Sequence, residues 1–75
     1  MIAVQPKRYV ASYLWLRNQE SEVTEWSCKT PKGRLTVKHI DKTWIAIYEN
    51  KKRPKVLSGV ITETVAMQEA VRLQK

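Results

Sequence analysis

The chain has 75 residues and carries 14 lysines and arginines against 7 acidic residues, a formal net charge of +7 at pH 7. A chain of this length forms one small domain, residues 1–75, and buries only about 60% of the surface that its unfolded form exposes. This excludes a large enzyme scaffold with a deep cleft. Its hydrophobic content of 43% is too high for a disordered basic tail, so we expect a folded domain.

The cysteine count and the apolar runs restrict the class of protein further. Cys28 is the single cysteine and has no internal disulfide partner, which favours a cytoplasmic location over the disulfide-stapled secreted class. The longest apolar stretch, residues 9–16, is far shorter than the roughly 20 residues of a membrane span. We therefore expect no membrane partner.

The N-terminal part contains two predicted strands separated by a polar turn. Residues 7–16 are rich in tyrosine, valine and tryptophan, which favours one strand, although Val10 and Tyr13 also suit one face of a helix. Residues 18–22 predict a turn. Residues 23–28 alternate in a way that predicts a second strand.

A clearer strand pattern follows a turn predicted at residues 30–33, where proline and glycine occur together. Residues 35–40 and 43–48 alternate in polarity and predict a hairpin joined by a two-residue turn. Residues 49–55 form a charged loop, and residues 56–61 resume a β-branched strand.

The C-terminal residues predict an amphipathic helix of about three turns from Thr62 to Gln74. Thr62 is a suitable N-cap, Glu63 lies in the first turn, and apolar side chains recur at helical spacing from Ala66. The sequence therefore predicts an α+β domain in which a small antiparallel β-sheet of three to five strands packs against one C-terminal α-helix. It leaves open whether the N-terminal segments extend the sheet or cover its other face.

The positive charge is concentrated in the middle of the chain. Residues 29–55 hold nine basic side chains and two acidic ones, which equals the net charge of the whole chain, whereas residues 20–28 hold three glutamates. In an antiparallel meander, the turn at residues 30–33 and the loop at residues 49–55 project from the same end of the sheet. We expect seven side chains to meet there and call this cluster the basic pole: Lys29, Lys32, Arg34, Lys51, Lys52, Arg53 and Lys55.

A cluster of this kind indicates a protein that binds nucleic acid through its phosphates, with affinity that falls steeply with salt. The alternative interpretation is a solvated loop that keeps a small protein soluble. If Ile45 and Ile47 face the helix, the opposite face carries an aromatic platform for bases. That platform would consist of Trp44 and Tyr48 with Lys38 nearby. The alternative is that Trp44 packs in the core.

Catalytic and metal sites have little support in the sequence. His39 and Asp41 lie two residues apart, a spacing at which a carboxylate can orient an imidazole, and Cys28 is a nucleophilic residue type. In their strand context, however, His39 is typical of a surface residue and Cys28 of a small buried hydrophobe. One cysteine and one histidine cannot supply the four ligands of a structural zinc site. We therefore expect a non-enzymatic protein without metal or cofactor.

Residues 42–74 also carry a family resemblance. The order is a turn, a strand with Trp44 and Ala46, a basic turn, a strand that ends near Gly59, and a helix that begins after Thr62. This order resembles the three-stranded, helix-backed DNA-binding domain of phage-type tyrosine integrases and plant AP2 factors. The glycine expected in the basic turn is missing, and about 30 N-terminal residues have no counterpart.

The resemblance implies that the sheet enters a DNA groove, with Lys38, Trp44, Lys51 and Arg53 among the contacting positions. The small size and style of the chain, rather than the resemblance itself, suggest an origin in a phage or another mobile element. The predicted partner is nucleic acid, DNA rather than RNA. The alternative is a protein-binding module, such as a phage-encoded modulator or inhibitor of a host enzyme or defence complex, whose basic face and exposed aromatics contact an acidic protein surface. A homodimer that completes the thin core is a third option.

Overall fold

The structure is a computed structural model that describes residues 6–74. It is an α+β fold with six strands followed by one helix: β1 (Lys7–Val10), β2 (Tyr13–Arg17), β3 (Glu25–Thr30), β4 (Gly33–Ile40), β5 (Thr43–Glu49), β6 (Lys55–Val60) and α1 (Glu63–Leu73). All six strands form one antiparallel sheet in chain order, and α1 packs on one face of it.

The sheet has six strands, so the prediction of three to five was too low. The difference arises in residues 7–16, which form β1 and β2 rather than one strand. The turn between them places Ala11 and Ser12 at φ values of 52° and 69°. Two positive φ angles define a tight hairpin turn of a type that usually contains asparagine or glycine, and an alanine-serine pair carries no such signal.

The other predicted connections agree more closely with the structure. Asp41 and Lys42, with φ values of 50° and 70°, form the predicted two-residue turn between β4 and β5. The turn at residues 30–33 joins β3 to β4 as expected. The second predicted strand is displaced, because β3 covers Glu25–Thr30 rather than residues 23–28.

The C-terminal helix is confirmed, with Thr62 as its N-cap. The Thr62 hydroxyl accepts a hydrogen bond from the backbone N–H of Val65 at 3.3 Å, which satisfies one of the free donors of the first turn. Ala66, Met67 and Ala70 are the buried side chains of α1. The two small alanines allow the helix to approach the sheet closely.

The sheet curls around the helix, because both edge strands, β1 and β6, contact α1. Arg8 on β1 forms an ion pair with Glu63 and donates a hydrogen bond from Nη2 to the Thr64 hydroxyl at 2.9 Å. The N-terminal segments therefore extend the sheet along β1 and β2. Within residues 6–74, no element packs over the face of the sheet opposite α1.

The hydrophobic core lies between the sheet and α1, and all three tryptophans belong to it. Trp15 is fully buried, and its Nε1 donates a hydrogen bond to the carbonyl oxygen of Val10 at 3.2 Å. The other side chains that the sheet contributes to this core are Val10, Trp26, Cys28, Leu35, Val37, Trp44, Ala46, Tyr48 and Val60. No helix between residues 6 and 74 has the length and apolarity needed to cross a membrane.

Gly33 is required where β4 begins beside the end of β5. A Cβ atom built at this position would lie 2.3 Å from the carbonyl oxygen of Glu49.

We expect Gly33→Ala to lower the free energy of unfolding by about 2–3 kcal/mol, because the backbone of β4 or β5 must shift. The matched control is Gly59→Ala. Gly59 has a φ of 77° but open space around it, so only backbone strain of about 1 kcal/mol applies. Urea unfolding measures both, and equal losses would contradict the close approach.

Candidate nucleic-acid interface

Two basic segments lie at the same end of the sheet. The β3–β4 turn at residues 30–33 and the β5–β6 loop at residues 50–54 both follow strands that run in the same direction. The strand register places Lys29 opposite Arg34 next to the first segment, and Lys55 opposite Tyr48 next to the second. The structure thus brings the seven side chains of the basic pole to one end of the molecule.

The side chain of Asn50 holds the two basic segments together. Its Nδ2 donates hydrogen bonds to the carbonyl oxygen of Lys32 at 2.6 Å and to the hydroxyl of Tyr48 at 2.8 Å. Its Oδ1 accepts from the backbone N–H groups of Lys52 at 2.8 Å and Arg53 at 3.2 Å. The Tyr48 hydroxyl donates to the same Lys32 carbonyl at 3.1 Å. One side chain therefore shapes the β5–β6 loop and attaches it to the β3–β4 turn.

The β3–β4 turn is also attached to the end of α1. The hydroxyl of Thr30 accepts from the backbone N–H groups of Lys32 and Gly33, each at 3.2 Å, and its single proton has two acceptors within reach, the carbonyl oxygen of Gly33 at 2.9 Å and Oε1 of Gln74 at 3.0 Å. Nε2 of Gln74 donates to the hydroxyl of Tyr13 at 3.0 Å. Hydrogen bonds therefore join the β3–β4 turn, the β5–β6 loop and the end of α1, so the two basic segments are not independent loops.

Six side chains of the basic pole have no ion-pair partner within residues 6–74. The ion pairs found there join Arg8 to Glu63, Lys38 to Glu25 and Arg72 to Glu69, and none of them includes any of these six side chains. Glu49 is the acidic residue nearest to the pole, and it lies opposite Arg34 in the strand register without forming an ion pair. The six exposed and unpaired side chains are Lys29, Lys32, Arg34, Lys51, Lys52 and Arg53.

Like charges face each other directly within the basic pole. Lys29 and Arg34 are cross-strand partners on β3 and β4, and both side chains lie on the face of the sheet opposite α1. Like-charged side chains directly opposite each other destabilise a sheet. A bound anion would relieve this repulsion, which within the sheet is offset only by Glu49, the partner of Arg34 on β5.

Most of the acidic side chains lie toward the other end of the molecule, where the basic side chains Lys7, Arg17, Lys38 and Lys42 balance their charge. Glu20 and Glu22 lie in the β2–β3 loop, and Glu25 follows at the start of β3. Asp41 lies in the β4–β5 turn at the same end, together with the basic Lys42. The net positive charge is therefore concentrated at the pole end of the strands. This uneven distribution steers an anionic partner toward the basic pole.

The aromatic platform is not formed. Trp44 and Tyr48 are only 7% and 5% exposed and lie on the helix-facing side of β5, whereas Ile45 and Ile47 lie on the opposite face. The alternative interpretation, in which Trp44 is a core residue, is confirmed. His39 stacks on the Trp44 ring with centroids 4.8 Å apart.

Lys38 lies apart from the basic pole. Its Nζ is 3.6 Å from Oε1 of Glu25, its partner in the strand register, toward the acidic end of the molecule. Its charge is therefore already compensated within the chain. Of the ten residues predicted to bind nucleic acid, the structure brings seven together in the pole and leaves Lys38, Trp44 and Tyr48 outside the exposed cluster. The Tyr48 hydroxyl hydrogen-bonds to the carbonyl oxygen of Lys32 and to the side chain of Asn50, and so helps to position the pole.

The Cys28, His39 and Asp41 set is not assembled. Cys28 is buried opposite Leu35, and His39 is exposed four residues farther along β4, a separation of about 13 Å along a strand. Burial raises the pKa of the Cys28 thiol, which disfavours the nucleophilic thiolate. Within residues 6–74, no group of three histidine, cysteine or acidic side chains is placed to hold a metal ion.

Sequence reasoning missed Asn50 and Thr30, which position the pole without contributing charge. The signal was present, because asparagine and threonine at the start of a turn commonly accept hydrogen bonds from backbone N–H groups two residues later.

Comparisons with protein-family models, with curated proteins and with solved structures found no match to this chain. The resemblance of residues 42–74 to integrase-type domains stays a prediction.

Proposed function

We propose that this chain is a non-enzymatic nucleic-acid-binding protein whose basic pole contacts the phosphates of a DNA backbone. The observation that carries the proposal is the set of six exposed basic side chains without an ion-pair partner in the described part of the chain. Lysine and arginine in such a cluster displace the counterions condensed on nucleic acid, which drives binding. Sequence readout is not required for this mode.

The support beneath the pole strengthens the proposal. Exposed loops usually lose conformational freedom when they bind, and that loss weakens affinity. Asn50 connects the β5–β6 loop to the carbonyl of Lys32, so the backbone of both segments is ordered before a ligand arrives. The basic side chains are then presented on a fixed base to the regularly spaced phosphates of a nucleic acid.

A salt titration tests the proposal. We expect the binding constant for a short labelled DNA duplex to fall with a log-log slope of up to about −5, if all six unpaired side chains neutralise phosphates. Between about 50 and 200 mM salt this slope corresponds to a loss of roughly a thousandfold. Fluorescence anisotropy measures the constants. Absence of binding at the lowest salt concentration, or affinity that does not respond to salt, would contradict the proposal.

An acidic protein surface is the second candidate partner, because the same unpaired charges would complement it. The exposed aromatic side chains expected for that mode are reduced to Tyr9, which is 78% exposed and lies on β1 away from the β5–β6 loop. A polyglutamate chain is a suitable probe. Salt-sensitive binding to polyglutamate without binding to DNA would replace the nucleic-acid proposal with this one.

A further inference from the structure

Five of the six aromatic side chains of this chain are buried or half-buried and are not available to a nucleic acid. The sequence has three tryptophans, three tyrosines and no phenylalanine, and all six lie within residues 6–74. Trp15, Trp26, Trp44 and Tyr48 are buried. Tyr13 is half-buried and accepts a hydrogen bond at its hydroxyl from Gln74.

Tyr9 is the remaining aromatic side chain, and it lies on the same face of the sheet as Lys29 and Arg34, two strands away from Lys29. It is on β1, at one edge of the six-stranded sheet, whereas the loop with Lys51, Lys52 and Arg53 joins β5 to β6 at the other edge. Tyr9 pairs across the strands with Leu14, which has no stacking surface. A single tyrosine at this position cannot form a row of stacking sites along a strand that crosses the pole.

The distinction matters because single-stranded and double-helical nucleic acids offer different contacts. Proteins that bind single strands without sequence preference stack successive bases on aromatic side chains, which contributes about 1–3 kcal/mol per base. In a duplex the bases are already stacked on each other, and the phosphates dominate affinity. A surface with many unpaired lysines and arginines, but with Tyr9 at its edge as the one exposed aromatic side chain in the described part of the chain, matches the second case better.

The phosphate spacing of nucleic acids also favours a duplex as the ligand of the basic pole. A duplex carries one phosphate per about 1.7 Å of its axis, against about 3.4 Å for each strand counted alone, so a compact cationic cluster reaches more phosphates on a duplex. The pole is also held in one arrangement by Asn50, Tyr48 and Thr30. A fixed cluster fits the rigid array of phosphates on a double helix better than a strand that must be ordered first.

We propose that the basic pole selects double-helical nucleic acid over single strands. This inference rests on the proposed function and adds to it the structural class of the ligand. Recognition occurs at the phosphates of both backbones, with the bases left in their stack.

The test compares one DNA duplex with each of its two separated strands, whose sequence is chosen to lack internal pairing. We expect the duplex to bind at least tenfold more tightly at low salt and with the steeper salt dependence. Single-strand binding that equals or exceeds duplex binding would overturn the inference while the proposed function stands. If neither form binds, the proposed function itself fails and the inference fails with it.

A variant of Tyr9 gives an independent readout. Tyr9→Ala removes the exposed ring from the surface, and the fold tolerates the change because the side chain is 78% exposed. We expect the affinity for single strands to change by less than about twofold, since stacking does not contribute. A loss of tenfold or more for single strands, with an unchanged melting temperature, would overturn the inference.

Discussion

Replacing Trp44 by alanine is expected to lower the free energy of unfolding by about 3–5 kcal/mol. The ring is 7% exposed, lies between the sheet and α1, and stacks on His39. Its removal leaves a cavity that rigid neighbours on β4 and β6 cannot fill. A domain of 75 residues has a total stability of about 4–11 kcal/mol, so the variant should lose a large part of its free energy of unfolding. Urea unfolding followed by circular dichroism measures the effect.

The matched control for Trp44→Ala is the exposed aromatic Tyr9. Tyr9→Ala removes a ring of similar chemistry at 78% exposure and should change stability by less than about 0.5 kcal/mol. If the Trp44→Ala protein instead unfolds at the same urea concentration as the wild type and loses its affinity for DNA, Trp44 is a DNA-contacting residue and not a core residue.

Reversing two charges in the basic pole is expected to weaken DNA binding by about a hundredfold at low salt. Lys52 and Arg53 are suited to this test, because both are exposed and their backbone positions are set by the side chain of Asn50. The variant Lys52→Glu/Arg53→Glu should also flatten the log-log salt slope by about 2, one phosphate contact being lost for each side chain. Anisotropy titrations over a range of salt concentrations give both quantities.

A second double variant separates position from net charge. Lys7→Glu/Lys42→Glu changes the net charge by the same amount at two exposed side chains at the end of the sheet opposite the pole. It should keep most of the affinity and most of the salt slope. Equal losses in the two variants, at unchanged melting temperatures, would mean that binding depends on total charge and that the pole is not a site.

Much of the fold followed from local chemistry. The helix was predictable because its N-cap, its acidic first turn and its buried alanines agree with one another. The β4–β5 hairpin was predictable because both strands alternate and a two-residue polar turn separates them. The β1–β2 hairpin was not, because Ala11 and Ser12 adopt positive φ angles that neither residue type favours. The surrounding sheet, rather than the turn sequence, selects that conformation.

The position of the basic pole could also be predicted, since the meander topology alone decides which turns share an end.

The sequence could not predict which face of β5 packs against α1. Trp44, Ala46 and Tyr48 alternate with Ile45 and Ile47, so both sides of the strand are apolar and a period of two does not choose between them. The choice depends on which side chains fill the space beneath α1, and the larger aromatic rings occupy it.

The central claim is that nucleic acid binds at the basic pole, and an NMR titration of the labelled protein with a short DNA duplex tests it most directly. The account predicts that the largest changes in amide chemical shift occur at residues 29–34 and 50–55. It predicts that residues 18–24 and 41–42, at the acidic end, change little. Shifts that are largest at the acidic end, or that are absent at low salt, would contradict the account.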